Sequence, residues 1–315
     1  MTASRAATCA HENCFAPDTA CVLGNDHCPH LVSDASAQQG SQSAGSRLPW
    51  SGLALGSTDL LTVAALGRSS LVGIVGVANA GKTTALAATM MGLRRGVGRF
   101  ADQFAGSYTL IGWNRIAFHL HWVPHGSGFP PHTTTADRRI PSLLHMALHS
   151  HSGAINHLLY TDVPGEWFKN WAYDVDAGSG TTWIAQHANA FVLLADSDAL
   201  SGPERGRARA DYDSLAHRLA SVRGDRPVVP VLSKSDLIVP EAILRHVQDM
   251  NRSLFGAETM RVSVKHGAGD PLTDVIDAGT EAALMPRRVA SSNADAKSGD
   301  ALFAYRSQRY HGATR

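Results

Sequence analysis

The chain has 315 residues, 44% of them hydrophobic, and a formal net charge of +1, which argues against an extended nucleic-acid surface. This length fits one large domain or two small ones with a packed core. No run of about 18 apolar residues predicts a membrane span and no apolar N-terminal segment predicts a signal peptide, so we expect a soluble cytoplasmic protein.

The N-terminal segment contains every cysteine of the chain, namely Cys9, Cys14, Cys21 and Cys28. Because the cytosol keeps thiols reduced and four thiolates suit tetrahedral coordination, this clustering favours a Zn²⁺ site. The spacing C-x4-C-x6-C-x6-C differs from the paired C-x2-C of common zinc ribbons, which leaves open whether His11 or His30 replaces one thiolate. Reduced unstructured thiols and disulfides remain the alternatives.

Composition divides the chain into four predicted parts. Residues 1–31 form the cysteine-rich module, and residues 32–48 are a Ser/Gln/Ala/Gly linker without a helical or strand period. Residues 49–285 alternate apolar strands with helical segments, which predicts a doubly wound, mostly parallel α/β sheet. Residues 286–315 are rich in Ala, Ser, Asn and Arg and predict a disordered tail.

The folded body opens with a predicted helix at 58–66 and a buried strand at 71–75. Residues 76–83 then match the pattern G-x-x-x-x-G-K-[ST] in full, and a predicted helix follows to about Arg95. A strand, a glycine loop and a helix in this order are the context of a phosphate-binding loop, or P-loop.

Each residue type in this pattern has a chemical reason. Gly76 and Gly81 allow the tight turn that points backbone N–H groups at phosphate oxygens, helped by the positive end of the following helix. Lys82 reaches the outer phosphates, and the Thr83 hydroxyl holds a Mg²⁺ shared with them. The sequence therefore predicts nucleotide binding.

The next predicted feature is an antiparallel hairpin. Residues 100–122 are ambiguous and favour helix, whereas Ser142–His149 and Ala154–Thr161 predict two strands joined at Gly153. His145 and His149 alternate with apolar neighbours, and a solvated strand face is favoured over a metal site because no carboxylate or cysteine accompanies them.

Three more buried strands are predicted after the hairpin, at 190–195, 228–232 and 260–264. Helices are predicted near 182–189, 204–223, 240–254 and 271–284. Trp167 and Trp171 share one face of a further helix, for which core packing is favoured over a partner surface that appears in one nucleotide state.

Motifs at three strand ends distinguish guanine from adenine nucleotides. Asp162-Val-Pro-Gly165 fits D-x-x-G, in which the carboxylate holds Mg²⁺ through water and the glycine N–H reaches the γ-phosphate. Ser233-Lys234-Ser235-Asp236 fits [NTS]-K-x-D, in which the aspartate accepts both hydrogens that guanine presents. Ser263-Val264-Lys265 is similar to S-A-K, whose backbone N–H faces the guanine oxygen. A nucleotide site on an open α/β sheet requires such placement at successive strand ends.

With these motifs in order, residues 70–283 resemble the Ras-like small GTPases of the translation-factor-related P-loop class. The resemblance implies that Lys82 contacts the β- and γ-phosphates, and that one of Thr133, Thr134 and Thr135, with Thr134 favoured, closes over a Mg²⁺ also held by Thr83 and Asp162. The predicted nucleotide-binding set is Gly76, Asn79, Ala80, Gly81, Lys82, Thr83, Thr84, Gly165, Lys234, Asp236, Ser263, Val264 and Lys265.

A narrower resemblance rests on Asp162-Val-Pro-Gly-Glu-Trp-Phe168, the Asn-Ala-Gly-Lys-Thr-Thr loop and the cysteine-rich N-terminus. These features look like the bacterial double-GTPase proteins associated with biological conflict systems. This resemblance implies signalling that depends on a protein partner rather than metabolism.

Glu166 departs from the usual small-GTPase pattern, and Asn79 matches a GTPase residue but has two possible explanations. Glu166 stands where small GTPases often have the glutamine that orients the attacking water; it could act as a base, or it only favours the start of the next helix. Asn79 matches the loop asparagine of GTPases that use K⁺, although its tolerance of a left-handed turn is the simpler explanation.

We therefore expect a GTP-binding switch that hydrolyses GTP slowly, or when a protein partner stimulates it, with Lys82, Glu166 and Thr134 as candidate catalytic residues. Mg²⁺ is the expected cofactor, and GTP and GDP are the expected ligands. The alternatives are a P-loop ATPase in which Ser-Lys-Ser-Asp is coincidental, and a nucleotide-sensing scaffold without turnover.

Overall fold

The computed structural model of the protein describes residues 8–9, 31–32, 52–56, 59–118, 120, 142–150, 152–174, 179–264 and 270–285. The chain separates into two units, Met1–Pro49 and Trp50–Arg315. In the first unit, Thr8–Cys9 and Leu31–Val32 pair as short antiparallel strands. Three parts of the sequence prediction lie outside the described residues: the cysteines Cys14, Cys21 and Cys28, the predicted linker after Val32, and the predicted tail.

The second unit is built on an eight-stranded sheet. Its strands in chain order are β1 Arg68–Val75, β2 Phe104–Gly106, β3 Leu143–His149, β4 Ile155–Thr161, β5 Ala190–Asp196, β6 Val228–Ser233, β7 Met260–Ser263 and β8 Asp270–Pro271. Across the sheet the order is β8-β7-β6-β5-β1-β4-β3-β2. The first six strands in this order, from β8 across to β4, pair in parallel with their neighbours. Strand β3 pairs antiparallel with both β4 and β2.

The mostly parallel α/β sheet and the antiparallel hairpin are therefore confirmed. The edge strand β2 adds a second antiparallel pair that the sequence did not predict, because three residues are too few to show a strand period. Among the described residues of 100–122, the favoured α-helix lies at Leu110–Phe118, and Ala101–Gln103 forms a 3₁₀ turn before β2.

Helices cover both faces of the sheet. They are α1 Leu60–Ala64, α2 Lys82–Arg94, α3 Leu110–Phe118, α4 Gly165–Tyr173, α5 Ser179–His187, α6 Ser197–Ser201, α7 Arg205–Val222, α8 Glu241–Phe255 and α9 Thr273–Leu284. Side chains of α2, α3 and α9 pack in the core on one face, and those of α1 and α4 to α8 pack in the core on the other. This double covering explains why the buried parts of the central strands are mostly apolar, as in Leu71–Val75 of β1 and Ala190–Ala195 of β5.

Strand β1 lies at the centre of both core layers. Val72 and Ile74 pack on the side of α2, whereas Leu71 and Val75 pack on the opposite side. Two neighbouring side chains also bond its backbone: Thr161 Oγ1 accepts from Ile74 N at 2.8 Å, and Asn189 Oδ1 accepts from Leu71 N at 2.7 Å. The strand that precedes the P-loop is thus fixed on every side.

The predicted solvated face of β3 is wrong for His145, whose residue is 1% exposed, while His149 is exposed. The His145 ring stacks on Tyr108 with centroids 4.6 Å apart, and its Nδ1 accepts from Tyr108 N at 3.0 Å. The proton therefore sits on Nε2, which donates to His157 Nδ1 at 3.0 Å. The segment before α3 covers this part of the sheet, so the alternation of polar and apolar residues did not show which face is solvated.

This buried imidazole makes the fold sensitive to acid. Burial, with a smaller effect of His157, lowers the pKa of His145 from 6.5 to about 3. Between these values the unfolded chain binds a proton that the folded chain does not. The contribution of neutral His145 to the free energy of unfolding is therefore fully present above about pH 6.5. It falls as the pH decreases, by up to about 1.4 kcal/mol per pH unit.

We expect His145→Asn, whose Oδ1 keeps an acceptor for Tyr108 N, to show a shallower pH dependence of the free energy of unfolding between pH 7 and 4. Urea unfolding at several pH values measures this slope. Burial also lowers the pKa of His157, so part of the dependence remains. His149→Asn on the same strand is the exposed control and should keep the wild-type slope. Equal slopes in both variants would contradict the assignment.

Candidate functional site

A cleft of about 490 Å³ lies at the carboxyl ends of strands β1, β4, β5, β6 and β7. Most residues of the predicted site line it: Asn79, Gly81, Lys82, Thr83, Thr84, Gly165, Glu166, Lys234, Asp236, Ser263 and Val264. Gly76 and Ala80 are buried in the same loop. Thr134 and Lys265 lie outside the described residues. The parallel sheet thus brings together motifs that are far apart in the sequence.

The loop between β1 and α2 turns through two left-handed residues. Asn79 has φ 66° and Gly81 has φ 89°, and α2 begins directly afterwards at Lys82. The positive φ of Asn79 agrees with the simpler explanation for an asparagine at this position. The helix end that faces the cleft carries a partial positive charge, which suits phosphate.

Lys82 is held at the floor of the cleft. Its Nζ donates to the carbonyl oxygens of Gly76 and Val77, at 3.0 Å each. Burial lowers the pKa of Lys82 to about 8, although the negative charges of Asp162 and Glu166 partly oppose this shift. The side chain is therefore mostly cationic at neutral pH and is already placed for an anionic ligand.

Two side chains with oxygen atoms that can bind a metal ion lie close to Lys82. Thr83 Oγ1 donates to Asp162 Oδ1 at 2.8 Å, which joins the start of α2 to the end of β4. A hydroxyl and a carboxylate at this distance fit Mg²⁺, which binds through one or two protein oxygens and takes the rest from phosphates and water.

Within the described part of the chain, no group of three or more His, Cys, Asp or Glu residues could hold a metal ion. The side chains of all four cysteines lie outside that part, so the zinc module stays a prediction.

Helix α4 begins against the P-loop. A Cβ on Gly165 would lie 2.2 Å from Ala78 N and 2.4 Å from Val77 C, a distance at which side chains are not found, so only glycine fits there. Glu166 follows in the first turn of α4 and is exposed at the cleft wall. Phe168 and Trp171 are buried in the core, in line with the packing role favoured for this helix.

The opposite end of the cleft contains the residues predicted to bind the base. Ser263 Oγ donates to Asp236 Oδ1 at 2.7 Å, and Ser235 N donates to Val262 O at 3.0 Å, so the ends of β6 and β7 are joined. Lys234 has φ 52°, and its Nζ lies 2.9 Å from Asp196 Oδ2 and 3.7 Å from Asp198 Oδ2.

Asp196 and Asp198 are site residues that the sequence analysis missed. Burial raises the pKa of Asp196, which Lys234 and the backbone N–H of Asp198 partly oppose. The available signal was the Asp-Ser-Asp sequence that directly follows the buried strand at 190–195.

A mostly parallel α/β sheet with a phosphate loop after its central strand defines a P-loop nucleotide-binding protein. The sequence model of the Double-GTPase 2 family matches residues 70–286. The chain belongs to this family, which confirms the resemblance to double-GTPase proteins and shows a GTP-binding domain. The family name indicates GTP hydrolysis in general, and Mg²⁺ use is general among such enzymes.

A comparison with curated proteins finds no match. Within the described ranges, no helix is long and apolar enough to span a bilayer.

The close approach of Gly165 to the P-loop predicts a steric effect. Gly165→Ala should lower the free energy of unfolding by about 1–3 kcal/mol, because the new methyl group must displace backbone atoms rather than a flexible side chain. Gly206→Ala, in α7, is the matched control: nothing lies within 4 Å of its Cβ, so stability should be unchanged or slightly higher. Chemical unfolding measures both, and a Gly165→Ala protein as stable as wild type would contradict the packing.

Proposed function

We propose that this protein is a GTP-binding molecular switch that hydrolyses GTP slowly, or faster when a protein partner stimulates it, in a bacterial conflict or signalling system. The observation that carries the proposal is that one cleft joins the P-loop, Gly165 with Glu166, and Asp236 with Ser263. The first group suits the phosphates, the second suits the γ-phosphate, and the third suits a guanine base.

Guanine selection is assigned to Asp236. Guanine presents N1–H and a 2-amino group side by side, whereas adenine offers no such pair of donors, and a carboxylate accepts both. The Ser263 hydroxyl holds one oxygen of Asp236 and so fixes the orientation of the carboxylate. Leu237 and Val264 line the same end of the cleft and provide apolar contact for the ring.

We expect the purified protein to bind GTP and GDP at least about tenfold more tightly than ATP, which corresponds to about 1.4 kcal/mol. Asp236→Asn should shift the preference towards xanthine nucleotides, because the amide donates where the carboxylate accepts. Titration with fluorescent guanine, adenine and xanthine nucleotides measures both effects. Equal affinity for ATP and GTP in the wild type would favour the ATPase alternative.

At the phosphate end the chain binds and orients. Lys82 pairs with the β- and γ-phosphates, Thr83 and Asp162 would hold Mg²⁺, and the Gly165 N–H donates to the γ-phosphate. When bound, Mg²⁺ offsets phosphate charge that develops during transfer. Thr134 is assigned as the switch threonine on the resemblance alone.

Glu166 is the reason for expecting slow hydrolysis. Its carboxylate faces the same cleft as Lys82 and adds negative charge where the γ-phosphate would lie. It therefore repels the phosphate, while it can still accept a proton from an attacking water. A partner that supplies a positive charge would remove this repulsion and increase the rate.

Two substitutions separate binding from turnover. Lys82→Ala should lose most triphosphate affinity, because it removes the cation that the P-loop holds for the β- and γ-phosphates. Glu166→Ala should keep GTP affinity or raise it slightly, because a repulsive charge is removed, and its main effect should be on the rate of phosphate release in single-turnover assays. Loss of binding in folded Glu166→Ala protein would contradict the role assigned to this residue, and no phosphate release in any variant would favour the scaffold alternative.

A further inference from the structure

In helix α4, which carries Gly165 and Glu166, two side chains contact one carboxylate of helix α7, that of Asp211. Lys169 Nζ lies 3.0 Å from Asp211 Oδ2, and the Tyr173 hydroxyl donates to Asp211 Oδ1 at 2.6 Å. Lys169 and Tyr173 are four residues apart and so lie on one side of α4. We name these three residues the α4 latch.

The latch carboxylate is well placed to act as a fixed anchor. The Asp211 side chain is 13% exposed, compared with 38% for Lys169. Burial alone would raise the pKa of Asp211, but the hydrogen bonds from Tyr173 and Lys169 and the charge of Lys169 lower it below its ordinary value. Asp211 is therefore ionised at neutral pH, and it accepts from both partners at once.

The two ends of α4 are constrained in different ways. At its first residue, Gly165 packs on the P-loop backbone at Val77 and Ala78. Further along the helix, Lys169 and Tyr173 of the latch join exposed α4 side chains to Asp211 of α7. Lys169 and Asp211 also line a cleft of about 510 Å³ that reaches Ala78 and Asn79 on the flank of the P-loop. This space leaves α4 room to move if the latch opens.

GTP and GDP differ only in the γ-phosphate, and α4 supplies the Gly165 N–H that is assigned to it. A residue that fixes α4 therefore affects GTP binding and leaves GDP binding nearly unchanged. A residue that only stabilises the fold affects both nucleotides equally, because a ligand shifts an equilibrium only through a difference in affinity for two states.

We propose that Asp211 is a positioning residue that, through Lys169 and Tyr173, holds α4 so that Gly165 and Glu166 stand at the γ-phosphate, and that it thereby sets the preference for GTP over GDP. This inference rests on the proposed function, namely that the cleft binds guanine nucleotides. Asp211 itself touches neither the nucleotide cleft nor the reacting atoms.

The test compares GTP and GDP affinities, measured with a non-hydrolysable GTP analogue and GDP, in full-length protein. Asp211→Ala should lower the ratio of GTP-analogue to GDP affinity by at least about fivefold, with GDP affinity close to wild type. Tyr173→Phe and Lys169→Met each remove one contact to Asp211 and should give smaller changes in the same direction. These two variants keep the test valid if Asp211→Ala does not fold.

Asp213→Ala is the matched control, because Asp213 lies on the same helix and contacts His246 of α8 instead of α4. It should leave the affinity ratio unchanged even if the melting temperature falls. If the latch variants lower the melting temperature but keep the wild-type ratio, the latch is structural and the proposal is wrong, while the proposed function stands. If wild-type protein binds neither guanine nucleotide, the proposed function itself fails.

Discussion

The parallel pairing of β1 with β4 on one side and β5 on the other is the constraint on which the rest of the site depends. Val72 of β1 is in register with Tyr160 of β4 and with Ala190 of β5. Because the three strands run in the same direction, the P-loop, Asp162 and Asp196 emerge at the same edge of the sheet. Burial on both faces and side-chain bonds to its backbone keep β1 in this register.

The two lysines of the cleft are held by protein contacts, in contrasting ways. Lys82 is buried and bonded to backbone carbonyls, so burial lowers its pKa, whereas Lys234 is partly exposed and paired with Asp196. Neither side chain has to be ordered from solution when an anionic nucleotide enters, which reduces the entropic cost of binding. The carboxylates that accompany them keep the cleft from being a simple cationic patch.

Helix α4 connects the phosphate end of the cleft with the body of the domain. Its nine residues span about 14 Å, from the P-loop to the contacts with α7. Phe168 and Trp171 anchor one face in the core, while Lys169 and Tyr173 lie on a side that meets Asp211. Gly165 at the P-loop and the residues that contact Asp211 therefore lie on one short helix.

The sequence by itself determined the features that depend on local patterns: the P-loop between a strand and a helix, the hairpin at Gly153, and the alternation that predicted a mostly parallel sheet. It also placed most of the residues that line the cleft, because parallel strands deliver their carboxyl ends to one edge. Only the tertiary structure decided that His145 is buried and that β2 extends the sheet. It also decided that Asp196 binds Lys234 and that Asp211 binds Lys169 and Tyr173. Tyr108 and His145 are 37 residues apart and Asp196 and Lys234 are 38 apart, and such contacts arise from packing, which no short sequence period encodes.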